Sequence, residues 1–346
     1  MIKAASLFSN VGIAETYLHK HDISVVVANE LLKERADFYK HLYPTANMIV
    51  GDITTEVVFE SVVAAAIEEN VDFLIATPPC QGMSVAGKMD ENDPRNSLII
   101  RVVEFVKRTQ PTNIIIENVP TMLKTYIVIN NEKVLIKDYI NRELSSIYNI
   151  SFNVLNAADY GTAQVRKRAI VLLTKHKEWQ LPDRQPLITV KDVIGDLPSL
   201  ESNQRSNIKY HYAPKHNDNH ILWMKHTATG KTAFDNAIYF PQKEDGTRIK
   251  GFATTYKRID WDKPAPTVTM CNGAISSQNN VHPGRKLPDG TYSDARVLTI
   301  LELLRITGLP DDWDIPTWVT DNLVRKVIGE GIPPHLIEAL VSTMPK

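Results

Sequence analysis

Cysteine is scarce in this chain of 346 residues. Cys80 and Cys271 are too few for a disulfide framework, so a reduced, cytoplasmic setting is expected. No Cys/His spacing resembles a zinc site, and no metal is expected. Long apolar runs are absent as well; nothing approaches bilayer length, which excludes a helical membrane span. Residues 1–8 turn polar too soon for a signal peptide and read as a strand that begins almost at once. Net charge is only −1, so the whole-chain balance does not announce a nucleic-acid binder. There is no internal repeat and no low-complexity tract. A hydrophobic share of 43% and a charged share of 23% describe an ordinary globular chain. Its length suits two domains, or one domain with a large insertion.

The apolar run Val71-Asp72-Phe73-Leu74-Ile75-Ala76 leads straight into Thr77-Pro78-Pro79-Cys80-Gln81-Gly82. The run reads as a buried parallel strand, stopped abruptly by the prolines and the glycine. A cysteine there stands at the carboxyl end of a central strand, where open α/β sheets put their chemistry. A second run, Asn113-Ile114-Ile115-Ile116, ends in Glu117-Asn118-Val119-Pro120. A thiol and a carboxylate can therefore face one cleft. Taken singly, each has a plainer reading: a small buried hydrophobe for Cys80, a strand-end cap for Glu117.

Residues 1–175 alternate short apolar runs with helical patterns, which implies βαβ units and a parallel sheet. The pattern predicts strands at 2–7, 24–28, 48–50, 71–77, 113–117, 150–155 and 168–174. The clearest helix spans 97–109, and a hairpin is predicted around Asn130-Asn131. Residues 176–294 are rich in Pro, Asn, Gly and His and read as a separate, irregular lobe. A helix over 296–309, stopped by Gly308 and Pro310, and a last helix after Pro333-Pro334 assign 295–346 to a return to the first domain. Within the lobe, between Asn203 and Arg258, ten Lys or Arg stand against four acids, interleaved with Tyr, Trp, Phe and His. That mixture suits phosphate contact and base stacking. A solvated insertion with its own small core fits it equally well.

The first strand runs into Phe8-Ser9-Asn10-Val11-Gly12-Ile13, read as a tight turn before a helix whose backbone amides a ligand can approach. Asn10 stands where a glycine is usual, and asparagine tolerates the left-handed region best among the other residues. The second strand ends at Glu30, placed to accept from both hydroxyls of a ribose. The third ends in Gly51-Asp52-Ile53, where a carboxylate can hold an adenine amino group. The three ends outline one adenosine-shaped site; a generic turn with solvated acids is the plainer alternative. Further on, Arg166 and Arg168 of Gln164-Val165-Arg166-Lys167-Arg168 fall on one side of a predicted strand, beside the cleft or as edge protection.

Taken together, these segments resemble the bacterial and phage-type DNA (cytosine-5)-methyltransferase family over nearly the whole chain and in the family's order. Pro79-Cys80-Gln81 resembles the nucleophile motif, Glu117-Asn118-Val119 the ENV motif, and Gln164 to Arg168 the Q-x-R-x-R pattern. Asp93-Pro94-Arg95-Asn96-Ser97-Leu98 is similar to the segment after the mobile loop. Arg296-Val297-Leu298-Thr299 with Glu302 and Arg305 resembles the late helix, and Ile328-Gly329-Glu330-Gly331-Ile332-Pro333-Pro334 the final motif. Glu330 replaces that motif's asparagine.

The resemblance implies a Rossmann-like methyltransferase sheet with helices on both faces, plus a smaller target-recognition lobe at 176–294. It implies S-adenosyl-L-methionine as methyl donor, held by Phe8, Val11, Gly12, Ile13, Glu30, Asp52, Ile53, Pro79, Leu98, Gly331 and Ile332. Cys80 would attack carbon 6 of a cytosine flipped out of duplex DNA. Glu117, with a pKa raised by burial, would hold the ring nitrogen and amino group, and Arg166 and Arg168 the carbonyl oxygen. Gln81, Ser84, Lys88, Arg95 and Gln164 would contact DNA. A monomer is expected, nucleoid-associated in the cytoplasm, with room for a companion restriction endonuclease. An RNA-methylating relative and a catalytically silent DNA-binding regulator are the alternatives. The long lobe speaks against the first and the intact Cys80, Glu117, Arg166 and Arg168 against the second.

Overall fold

The computed structural model describes residues 1–79, 98–129 and 131–346. The chain divides into two compact units. One comprises Met1–Asn156, Lys167–Arg184 and Leu336–Lys346; the other comprises Ala157–Arg166 and Gln185–His335.

The strands of the first unit are β1 (Ile2–Leu7), β2 (Ile23–Glu30), β3 (Asn47–Val50), β4 (Phe73–Ala76), β5 (Asn113–Asn118), β6 (Tyr126–Ile129), β7 (Glu132–Leu135), β8 (Asn149–Asn156) and β9 (Lys167–Thr174). Seven of them form one sheet in the order β3-β2-β1-β4-β5-β9-β8; β6 and β7 make the expected hairpin. The pairings from β3 through β5 are parallel, and β9 runs antiparallel to both β5 and β8. Strand order reverses between β1 and β4. The carboxyl ends flanking that reversal are where an open α/β sheet leaves a crevice for a ligand.

The apolar runs become central strands because both faces of the sheet are covered. Leu74, Ala76, Ile114 and Ile116 share one core with Phe59, Val62 and Val63 of α2 (Glu56–Glu68) and Val102, Phe105 and Val106 of α3 (Leu98–Thr109). By the period-two alternation of a strand, Phe73 and Ile75 point to the opposite face. There Phe73 meets Trp179, ring centroids 6.5 Å apart, and the Trp179 indole donates to the Leu340 carbonyl at 3.1 Å. Each of these aliphatic side chains contributes about 1.5–3 kcal/mol of burial.

In the second unit, α6 (Asp218–Lys225) packs Trp223 and Met224 against Ala233, Ile275, Val281, Ala295 and Val297. The aromatic residues of the basic segment are thus divided. Trp223, Phe234 and Tyr256 build a small core, while Phe252 stays 77% exposed. Arg258, counted among the candidate phosphate contacts, is fully buried and spends its guanidinium on the carbonyls of Met224, His282, Ser293 and Asp294. The late helix α7 (Ile300–Thr307) also falls in this unit, as does α8 (Asp321–Glu330), which the periodicity did not reveal. Only residues from Leu336 onward join the first unit, within α9 (Pro334–Ser342). α7 is joined to Asp294, the last residue of the expected lobe, by a buried ion cluster, Asp294–Arg296–Glu302.

Candidate active site

β1 delivers a turn of unusual backbone. Phe8, Asn10 and Gly12 have φ of 60°, 50° and 83°. Asn10 accepts the left-handed conformation expected of it. An aromatic residue there is costly, and Phe8 is pinned by Thr77, whose Oγ1 donates to the Phe8 carbonyl at 3.0 Å. At Gly12 no side chain fits: a Cβ would stand 2.2 Å from Tyr43 Cε2. No α-helix follows the turn, contrary to expectation; a short 3-10 turn, Leu18–His21, comes only later. Glu15 instead reaches β1, accepting from Ser6 Oγ at 2.5 Å.

The acids at the neighbouring strand ends are already partly engaged. Glu30 is buried and accepts from Asn10 N–H at 2.9 Å and Leu32 N–H at 3.0 Å. A carboxylate has about four acceptor positions, so a diol can still be bound. Asp52 is exposed, and its Oδ1 accepts from the backbone and hydroxyl of Thr54 at 2.9 and 2.8 Å. Val11, Ile13 and Ile53 are buried, so their side chains belong to the core and only their backbone is available to a ligand. Pro79 and Leu98 are half-buried.

At the end of β5, Glu117 is buried. Arg168 Nε lies 2.8 Å from its Oε1. The register pairs Glu117 with Ile170, which puts Arg168 on the diagonal and on the same sheet face. Next door, the Asn118 amide donates to the Pro78 carbonyl at 3.0 Å. That bond anchors the chain two residues before Cys80. Cys80, Gln81, Ser84, Lys88 and Arg95 lie outside the described residues.

Two assignments change. Strand β9 begins at Lys167, so Arg166 is not its strand-mate. Arg166 lies in the second unit, buried, donating to the carbonyls of Val268 at 3.0 Å and Glu330 at 2.9 Å. Gln164, expected at DNA, is 1% exposed, and its Oε1 accepts from Val268 N–H at 2.9 Å. Together with the Val165–Ala265 and Ala265–Ala163 backbone bonds, Gln164 and Arg166 clip down the Pro264-Ala265-Pro266-Thr267-Val268 segment. The Glu330 contact is through its carbonyl, so the change from asparagine leaves it intact. Gly329 is required because a Cβ would stand 2.2 Å from the Thr269 carbonyl. Gly331 caps α8, and Ile332 is buried. Cys271 is exposed.

Residue-type reasoning passed over Glu15. It is 3% exposed beneath the turn, and burial pushes its carboxyl from the ordinary 4.5 up to about 7, with the Ser6 hydrogen bond opposing. The visible signal was one carboxylate in the otherwise apolar stretch Val11-Gly12-Ile13-Ala14-Glu15. The folded chain holds this proton through a window in which the unfolded chain has released it. Stability is therefore expected to fall as pH rises from about 4.5 to about 7, by an amount on the order of 3 kcal/mol, and to level off above that. Glu15→Gln should flatten this slope in urea unfolding series; an unchanged slope would place the titration elsewhere.

A family model described as C-5 cytosine-specific DNA methylase matches residues 2–346. The chain is 52% identical over 343 residues to the Type II methyltransferase M1.HgaI of Avibacterium volantium, covering 97% of this chain and 96% of the relative. It is 27% identical to the Type II methyltransferase M1.HphI of Haemophilus parahaemolyticus over 98% of its length and 86% of that protein's. Among solved structures, the methyltransferase EhMeth of Entamoeba histolytica superposes with a TM-score of 0.65 at 16% identity, over 99% of this chain and 97% of that one. A substituted form of DNMT2 from Spodoptera frugiperda gives 0.62 at 16% identity, over 99% of both chains. At such identities the structural likeness speaks for the fold.

Proposed function

The chain belongs to the C-5 cytosine-specific DNA methylase family, and from that premise we propose how its residues carry out methyl transfer to carbon 5 of a cytosine in duplex DNA. The observation that carries the reading is the Glu117–Arg168 pair at the carboxyl end of β5, beside the Asn118–Pro78 bond that anchors the segment leading to Cys80. S-adenosyl-L-methionine supplies the methyl group. The turn over residues 8–12 and the Glu30 carboxylate suit its adenosine part, since backbone amides and a carboxylate with spare acceptor positions are what a nucleoside diol and base edge require.

Cytosine carbon 5 is a poor nucleophile. The Cys80 thiolate adds to carbon 6 and makes carbon 5 enamine-like. Glu117, its carboxylate plane set by Arg168, holds the ring nitrogen and the amino group while charge develops there. Arg168 is near enough to steady the carbonyl oxygen. Once carbon 5 is methylated, a base removes its proton and Cys80 leaves. The reacting atom is out of reach in a stacked duplex, so the base must be flipped into the site. The irregular lobe would read the flanking sequence with its exposed residues. The chain acts as a monomer on one strand at a time, and a companion endonuclease would share its recognition site.

The test is transfer of labelled methyl to mixed genomic DNA with tRNA in parallel, followed by bisulfite mapping. Label in DNA at one cytosine of a short fixed motif is expected. Label in tRNA alone moves the chain to the RNA branch, and no label at saturating donor sinks the reading. A sharper prediction concerns Glu30→Gln. The new amide cannot accept from both Asn10 and Leu32 N–H, so one backbone donor under the turn loses its partner. Binding of S-adenosylhomocysteine by calorimetry is expected to weaken roughly 10–100-fold. Unchanged affinity would remove Glu30 from the donor site.

A further inference from the structure

Directly beneath the turn lies a group that the reaction does not use. Glu15 has one donor, Ser6 Oγ at 2.5 Å; its Oε2 has no hydrogen-bond partner among the described residues, and neither has the fully buried Tyr39 hydroxyl. Tyr43 donates its hydroxyl to the Gly12 carbonyl at 2.6 Å, and its ring lies 4.8 Å from that of Tyr39. Beside Glu15 and Tyr43 is a cavity of about 110 Å³, with Ser24, Thr45 and His19 also in its wall. Unpaired buried polar atoms are rare enough to call for a reason, and two of them side by side with a functional backbone turn suggest one.

We propose that Glu15 is a positioning residue for the donor-binding turn, and that its proton decides where the Tyr43 hydroxyl goes. Protonated, Glu15 leaves Tyr43 on the Gly12 carbonyl and the turn is held. On ionisation the proton passes to solvent through the cavity. The buried carboxylate then has its Oε2 bare, and both tyrosine hydroxyls are drawn onto it; Tyr39 has no other partner to leave, whereas Tyr43 can come only by releasing Gly12. Both tyrosines keep their own protons, because burial and the Glu15 charge push their pKa values up. The groups facing Glu15 are Ser6 from β1, Tyr39 from α1 (Lys33–Leu42), Tyr43 just after it, and His19, exposed in the cavity wall. This inference rests on the reading of residues 8–12 as the donor's seat.

The test is calorimetric binding of S-adenosylhomocysteine to the full chain between pH 6 and 8.5. Affinity of the unaltered protein is expected to fall about fivefold across that range, the worth of one net hydrogen bond. Glu15→Gln, isosteric and without the proton, should keep the low-pH affinity throughout. Tyr43→Phe, which lacks the hydroxyl, should bind at the weak level at every pH, and it carries the test if Glu15→Gln fails to fold. His19→Asn should retain the slope. A flat profile in the unaltered protein, or a slope that survives in Glu15→Gln or Tyr43→Phe, overturns the proposal while leaving the donor site in place. Absence of binding at every pH overturns the donor site itself, and the proposal with it.

Discussion

Glu117→Gln is expected to lower kcat for methyl transfer by roughly 10²–10⁴-fold, the range typical of losing a positioned acid–base group, while binding of S-adenosylhomocysteine stays within about threefold. The side chain is buried at the end of β5, and Arg168 Nε holds its Oε1 at 2.8 Å. Glutamine keeps the size and one acceptor, so the strand end and its packing survive. What it loses is the charge that matches Arg168 and the ability to exchange a proton with the ring as Cys80 adds. The defect should therefore fall on kcat, and the half-buried Arg168, left without a counter-charge, should not restore it at any pH. Single-turnover rates with saturating DNA separate this from weaker substrate binding. A variant within threefold of the unaltered enzyme would mean that Glu117 is only a strand-end cap.

The largest expected loss of stability comes from Arg296→Met. Arg296 is fully buried, binds Glu302 through two nitrogens at 2.8 and 2.9 Å, reaches Asp294 at 2.9 Å and donates to the Leu200 carbonyl at 2.8 Å. Burial on its own would raise the Glu302 carboxyl, but Arg296 more than offsets it and holds that group down at about 2. The same surroundings push His282 down to about 3, by burial first and by repulsion from Arg296 second. Removing Arg296 leaves the buried Glu302 carboxylate without its guanidinium and Asp294 with only Arg285 at 3.5 Å, which costs about 3–5 kcal/mol. In the unaltered protein the Glu302 contribution is present above about pH 4.5 and is lost as pH falls toward 2. In the variant the sign reverses, because the stranded carboxyls prefer to be protonated, so the deficit should be larger at pH 7 than at pH 5. Urea unfolding at both values measures it. A deficit below 1 kcal/mol at pH 7 would show that the cluster is not the tie between α7 and the lobe.

The same cluster accounts for α7 lying in the second unit. The helical pattern of residues 296–309 was visible, and Thr299 with Glu302 does form a capping box at the start of α7. Glu302, however, also accepts from Arg296, and Arg296 reaches Leu200 and Asp294. Those partners assign the helix to the lobe, and no periodicity within the helix announces them. Arg166 and Gln164 repeat the lesson. As residue types, a guanidinium and an amide beside a strand suited phosphate or base contact. Their partners, Val268 and Glu330, lie more than a hundred positions away in sequence.

The sequence alone determined what depends on near neighbours. Both-faced burial writes continuous apolar runs, so β1, β2, β5 and β9 stood close to their true limits. Strand ends carry their acids and turn residues in line, so Glu30, Asp52, Glu117 and the left-handed Asn10 were legible. The family likeness rested on the order of such segments. Tertiary structure alone decided which polar side chains face a ligand and which are spent on backbone. It turned Arg166, Gln164 and Arg258 inward, set Arg168 on Glu117, and buried Glu15 under the turn. The reason is that desolvating a charge or an amide is tolerable only where specific partners meet it, and those partners are brought from distant parts of the chain by folding.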